Sequence, residues 1–319
     1  MTDIKLSRPP RLMPALGRGV LTGIGKRPGP DSTPPDTRLV LAATRIDVGR
    51  TAAYARLCGY RAGDPLPPTY PHILGFPLAA RLMSSRAFPL PLLGLVHTGI
   101  EITQYEPLRL DDAPELTVYA EKLIPHPRGT EVVVVTEARR GGALVWRDLS
   151  RYLARHRTAD SPATPAPRTP PGYRTPATPA PAATARRPLP EEPALPVRAT
   201  WELPANLGRR HAAVSGDYNP IHLYPLTAKP LGFPRAIAHG MWTLARCVAE
   251  AAPAVGDAVR IRANFRAPVL LPATVAYAAS YSDEGATFQL RGGGDGGGGR
   301  GGSGEGGSRL HLSGTVRPV

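Results

Sequence analysis

The chain has 319 residues, 42% of them hydrophobic, which is enough apolar material for about two packed domains. With 20% charged residues it is neither a wholly disordered chain nor a coiled coil, but 39 Pro and 34 Gly, together well above the usual roughly 12%, place part of it outside any core. The net charge of +14 rests on 35 Arg and four Lys, a balance that a GC-rich genome imposes; it predicts attraction to polyanions, including phosphate-bearing cofactors, more than it specifies a nucleic-acid partner.

Residues 1–36 are basic and rich in Pro and Gly, and we expect a loose leader there. Arg8, Arg11, Arg18 and Lys26 interrupt any apolar run, so the N-terminus has no signal-peptide pattern. No segment approaches the roughly 20 apolar residues that span a bilayer. The two cysteines, Cys58 and Cys247, lie in no metal or disulfide spacing and fit a reducing compartment, so a cytoplasmic location is expected.

A first folded unit is expected over 37–157. Strand-like runs at Val132–Ala138 and Ala143–Leu149 flank Gly141-Gly142, a hairpin turn signal. Residues 158–196 form a linker: 12 of the 36 residues from 161 to 196 are Pro, which fixes φ and removes backbone donors. A second unit covers 197–319. Its helix is predicted over Arg235–Ala252, after Pro234, with Ile237, Met241, Leu244 and Val248 at helical spacing. The run Val259–Arg266 alternates as a half-buried strand, with Arg260, Arg262, Asn264 and Arg266 on its polar side. Further strands are expected at Val275–Ser282, Ala286–Arg291 and Leu310–Arg317. The stretch 292–307, with 12 glycines in 16 residues, is a loop between the last two. Two strand-rich units of similar size suggest a duplicated fold.

The chemistry-bearing stretch is Ser215-Gly216-Asp217-Tyr218-Asn219-Pro220-Ile221-His222, followed by Ala238-His239-Gly240-Met241 at the opening of the predicted helix. Asp217 and His222, five residues apart, are poorly aligned on a helix but can converge in a loop bent by Gly216 and Pro220. A carboxylate and an imidazole meeting at one water form a proton-transfer arrangement. The same residues are ordinary turn chemistry, and Asp217 could simply cap a helix. Gly240 costs roughly 1 kcal/mol in a helix, so close approach of a ligand or tight packing requires its bare backbone.

These residues resemble the signature of the MaoC-like, type 2 enoyl-CoA hydratase family: a small residue, Gly-Asp-x-Asn-Pro-aliphatic-His, five residues, then Ala or Ser (here Ala228), with Gly232-Phe233 and Ile237-Ala238-His239-Gly240 downstream. The first half resembles, more loosely, the degenerate half of double members through Leu66-Pro67-Pro68-Thr69-Tyr70-Pro71, Phe76-Pro77-Leu78 and Tyr105-Glu106-Pro107-Leu108. The resemblance implies an α+β double hot-dog fold: two curved antiparallel sheets, each wrapped round a long helix and packed as a pseudo-dimer.

It further implies an (R)-specific lyase on trans-2-enoyl and 3-hydroxyacyl thioesters of CoA or a carrier protein. Asp217 and His222 would activate water, Asn219 would orient the loop, and Ser215 and His239 would support it. The Gly240 N–H would hold the thioester carbonyl, and no metal or redox cofactor is called for. Lys229, Arg235, Arg260, Arg262 and Arg266 are candidate phosphate contacts or, equally, a solvated face. Tyr224 departs from the Asp that many relatives carry two residues after the His. A double hot-dog chain can stand alone or pair as a homodimer. The competing readings are a non-catalytic acyl-binding subunit and a hot-dog thioesterase, which uses a carboxylate in other surroundings. Nucleic-acid binding ranks last: aromatics are 6% of the chain, and no helix-turn-helix, zinc or RNP-type pattern is present.

Overall fold

The computed structural model describes residues 1–11, 32–92, 94–158, 192–251, 256–292 and 309–319, with Gly23, Lys26 and Pro28 besides. After β1 (Thr2–Leu6), the first half runs β2 (Thr37–Leu41), α1 (Val48–Cys58), α2 (Tyr70–Met83), β3 (Val96–Gln104), β4 (Glu115–His126), β5 (Gly129–Arg140) and β6 (Ala143–Arg155). The second runs β7 (Val197–Leu203), α3 (Leu207–Ser215), α4 (Gly240–Ala251), β8 (Val259–Phe265), β9 (Ala273–Ser282), β10 (Gly285–Gly292) and β11 (Leu310–Pro318). Apart from β1 and the short turns of helix over Pro220–Leu231, the described elements of each half run as a strand, two helices and four strands.

The strands form one sheet in the order β1-β2-β4-β5-β6-β3-β8-β11-β10-β9-β7. The two halves mirror each other about the β3–β8 seam, as a duplicated fold requires. The expected pair of sheets is therefore continuous. Antiparallel pairing from Gly99↔Asn264 to Gln104↔Val259 removes two open edges, and Ile102 faces Ile261 there with both fully buried. The helices reinforce the seam: the Arg50 Nε donates to the Val214 carbonyl at 2.6 Å, and the Trp242 Nε1 donates to the Leu57 carbonyl at 3.1 Å.

Local chemistry explains the elements. Gly141 and Gly142, with φ of 58° and 87°, close the β5–β6 hairpin in the positive-φ turn that suits twisted strands. In β8, Val259, Ile261 and Ala263 are buried and Arg262 is exposed, as the alternation predicts.

Three expectations need correction. The leader is not loose at its start: Thr2–Leu6 pairs in parallel with Thr37–Leu41, because it precedes the first proline and lets Leu6 pack on the core. The end of the linker is held: the Gln289 Nε2 donates to the Pro193 carbonyl at 2.9 Å, and the Ala279 N–H donates to the Pro196 carbonyl at 2.9 Å. The rest of the linker, 159–191, and the glycine-rich stretch from 293 lie outside the described residues. The central helix starts at Gly240, not Arg235. Residues 236–238 are extended because the Ala238 N–H donates to the Val269 carbonyl and the Leu271 N–H to the Ala236 carbonyl. Ala252, its expected last residue, is outside the described residues. Among the described residues no helix is long and apolar enough to cross a membrane.

Candidate active site

Helix α3 ends at Gly216, whose φ of 81° is a left-handed cap and whose N–H donates to the Ala212 carbonyl at 2.7 Å. Around it, Ser215, Asp217 and Asn219 each accept from the backbone two residues on. The Ser215 Oγ accepts from the Asp217 N–H at 3.1 Å, the Asp217 Oδ1 from the Asn219 N–H at 3.1 Å, and the Asn219 Oδ1 from the Ile221 N–H at 3.4 Å. This is turn chemistry, yet it consumes only one oxygen of Asp217. The other, Oδ2, lies 3.7 Å from the His239 Nε2.

The loop is tied to the start of α4 by two imidazoles. The His222 Nδ1–H donates to the Ile237 carbonyl at 2.8 Å, and the His239 Nε2–H donates to the Asp217 carbonyl at 2.9 Å. A carbonyl only accepts, so His222 in its neutral form carries its proton on Nδ1 and presents an unprotonated Nε2. The His222 and His239 rings stack at 3.7 Å, and the His211 ring lies 4.5 Å from that of His239, tilted by 49°. Asp217, His222 and His239 each offer a ligand atom within 4.8 Å of the others, a set that a divalent cation could enter. The His239 Nε2 and the Asp217 Oδ1 already serve the loop, which leaves Asp217 its Oδ2.

Burial sets the electrostatics. It pushes His222 down to about 3, assisted by the neighbouring His239, and His239 down to about 4. His211, under the same burial, moves in the same direction. An unfolded imidazole titrates near 6.5, so the unfolded chain binds more protons than the folded one across the window from about 6.5 down to 3. Stability is then complete above about pH 6.5 and lost as the pH falls through that window. Thermal melts between about pH 8 and 4 should show the midpoint dropping below pH 6.5, with a shallower drop in His222→Asn. A midpoint that rises on acidification would contradict neutral buried histidines.

Asp217, Asn219, Ser215, His222, His239 and Gly240 all line one cavity of about 450 Å³ whose walls come from both halves of the chain. Gly240 begins α4, where the first amides have no intrahelical acceptor. A Cβ at Gly240 would stand 3.1 Å from the Phe265 ring, so tight packing is one reason for its bare backbone.

The basic candidates divide. Arg266 lines the cavity and pairs with Glu192 at 2.5 Å. Arg260 and Arg262 do not line it; they are paired with Glu101 across the seam at 3.9 and 3.0 Å. Lys229 and Arg235 are exposed and also outside the lining. The exposed arginines that do line it are Arg128 and Arg155, together with Arg266. Tyr224 lies under the Arg209 guanidinium at 4.7 Å and takes no part in the cavity wall.

Sequence reasoning missed His211, although it precedes Ser215 by four residues on the same helical face. It also missed His72, His97 and Tyr152 of the first half, which no motif marks.

Residues 183–293 match the family model described as MaoC like domain. The chain is 38% identical over 257 residues to 3-hydroxyacyl-thioester dehydratase X of Mycobacterium tuberculosis, covering 81% of this chain and 85% of that protein. A crystal structure of HtdX from the same organism matches with a TM-score of 0.71 at 34% identity, over 88% of this chain and 99% of that one. A MaoC-like dehydratase from Phytophthora capsici matches with a TM-score of 0.62 at 16% identity, over 88% and 95% of the two chains, which is a likeness of fold. On these grounds the chain is a hot-dog α+β protein and belongs to the MaoC-like dehydratase family.

Proposed function

We propose that this protein is a hydro-lyase that hydrates trans-2-enoyl thioesters and, in reverse, dehydrates (R)-3-hydroxyacyl thioesters of CoA or an acyl carrier protein. The observation that carries this reading is the convergence of the Asp217 carboxylate, the buried His222 and the first-turn backbone of Gly240 on one cavity. In the hydration direction, one water bridges Asp217 and His222. It loses a proton to this pair as its oxygen bonds to C3 of the enoyl group. The π electrons shift through C2 onto the thioester oxygen, where the Gly240 N–H and the positive end of α4 stabilise them. The pair returns a proton to C2, so the elements of one water are added. Neutral His222, with Nδ1–H held by Ile237, presents an unprotonated Nε2 that can accept a hydrogen bond from that water. Asn219 and Ser215 hold the loop, and His239 couples it to α4.

Arg128 and Arg155 supply positive charge at the cavity for the phosphates of CoA or a carrier arm, while Arg266, also in the lining, is held by Glu192. Arg260 and Arg262, engaged with Glu101, are the weaker candidates. The parent assay is loss of enoyl absorbance with C4 to C16 trans-2-enoyl-CoA, followed by chiral analysis of the product. We expect turnover with an (R)-3-hydroxyacyl product. Tight acyl-CoA binding with no turnover at any chain length would replace this reading with that of a non-catalytic acyl-binding subunit.

A further inference from the structure

The lyase reading leaves one buried titratable pair unused. In the first half, the His72 Nδ1 lies 2.7 Å from the Asp148 Oδ2, with His72 only 6% exposed and Asp148 fully buried. The Ser150 Oγ donates to the other Asp148 oxygen at 3.2 Å. With the Nδ1 engaged by Asp148, the Nε2 is the ring's remaining polar atom. The ring lines the same cavity as Asp217 and His222.

The position of this pair is informative. Helix α2 occupies in its half the place that α4 occupies in the other, and His72 sits in its first turn as Gly240 does in α4. Every other α2 residue lining the cavity, Ile73, Phe76, Ala80 and Met83, is apolar. His72 is therefore the polar point of the α2 face, which is otherwise suited to an acyl chain, with His97, Thr98 and Tyr152 of the neighbouring strands also in the wall. It is also continuous with the thioester end. His97 lies 5.9 Å from it in a stacked arrangement and 4.8 Å from Phe265, the ring that packs under Gly240.

Resting on the lyase reading, we propose that His72, held by Asp148, is a specificity-determining hydrogen-bond site for a hydroxyl on the acyl chain beyond the reacting carbons, so that the preferred substrates are hydroxylated enoyl thioesters. A plain alkyl chain filling the cavity strips water from the His72 Nε2 and leaves it unpaired, whereas a hydroxyl can accept from or donate to that atom. The mismatch disfavours the plain chain by about 10–100-fold.

The test compares kcat/KM for trans-2-enoyl-CoA substrates of one chain length, plain or carrying a single hydroxyl at each position from C5 outward. The proteins are the full-length wild type, His72→Phe, and a double variant His72→Phe with Asp148→Val. The double variant removes the pair together and avoids stranding a buried carboxylate. N-acetylcysteamine thioesters of the same acyl groups provide the second arm. We expect one hydroxylated position to exceed the plain chain by about 10–100-fold in the wild type, and that ratio to fall to near one in the variants on both carriers. A wild type that prefers the plain chain throughout overturns the proposal. So does an unchanged ratio in a folded variant, or an effect confined to CoA substrates, which would place the contact on the pantetheine arm. If neither plain nor hydroxylated substrates turn over, the lyase reading itself has failed, an outcome distinct from all of these.

Discussion

Replacing Asp217 by Asn, or His222 by Asn, should lower kcat for enoyl-thioester hydration by about 10²–10⁴-fold while leaving the fold in place. The choice of residue matters. In Asp217→Asn the side-chain oxygen still accepts from the Asn219 N–H, so the turn keeps its bond and only the charge is lost. In His222→Asn the amide N–H can take over donation to the Ile237 carbonyl, while the ring atom assigned to the proton transfer disappears. Because the two groups act on one water, the double variant should be little worse than either single one. Initial rates with a trans-2-enoyl-CoA, alongside melting curves, decide the matter. Folded single variants with wild-type kcat would remove both residues from the reaction.

How much of this was legible in the sequence depends on the physical signal each element leaves. The strands of the second half were legible because Val259–Phe265 alternates, and the structure buries Val259, Ile261 and Ala263 while leaving Arg260, Arg262 and Asn264 more open. The turn was legible because Ser, Asp and Asn at these spacings are ordinary turn acceptors, and the structure employs all three side chains so, while a chemical role for the loop was suggested by the family resemblance and not by the spacing. Helix α2 left a weaker trace. It is apolar on most sides, opens with Pro71 and carries Pro77 inside, so a buried helix looks like a punctuated apolar run. The start of α4 was misplaced because Ile237 continues the helical spacing of the residues after it. Pairing of residues 236–238 with 269–271, invisible locally, holds that segment extended. The basic residues illustrate the same limit. An arginine's spacing does not say whether a glutamate on a distant strand already holds it, as Glu101 holds Arg262. The His72–Asp148 pair, 76 residues apart, had no sequence signature at all.

The second large effect is expected outside the reacting groups, at Gly208 in the first turn of α3. Helix propensity alone favours Ala over Gly by up to about 1 kcal/mol, so Gly208→Ala would ordinarily stabilise the protein. The surroundings reverse the sign. A Cβ at Gly208 would overlap the carbonyl oxygen of His222 and stand 3.4 Å from the His222 Cβ. That carbonyl has little freedom to retreat. The His222 N–H donates to the Asn219 carbonyl at 3.0 Å, its ring is bonded to Ile237, and the Arg209 Nη1 donates to the Leu223 carbonyl at 2.9 Å. Either α3 moves away, weakening its packing on α1, or the loop moves and takes the His222 ring with it. Overpacking of this kind costs roughly 1–3 kcal/mol, and a shift of about 1 Å in a reacting group can cost 10²-fold in rate. We expect Gly208→Ala to unfold at lower urea than the wild type and to lose about 10²-fold in kcat. If it instead melts higher and turns over normally, α3 does not fix the position of His222, and the loop must owe its shape to the Asn219 and Ile237 bonds alone.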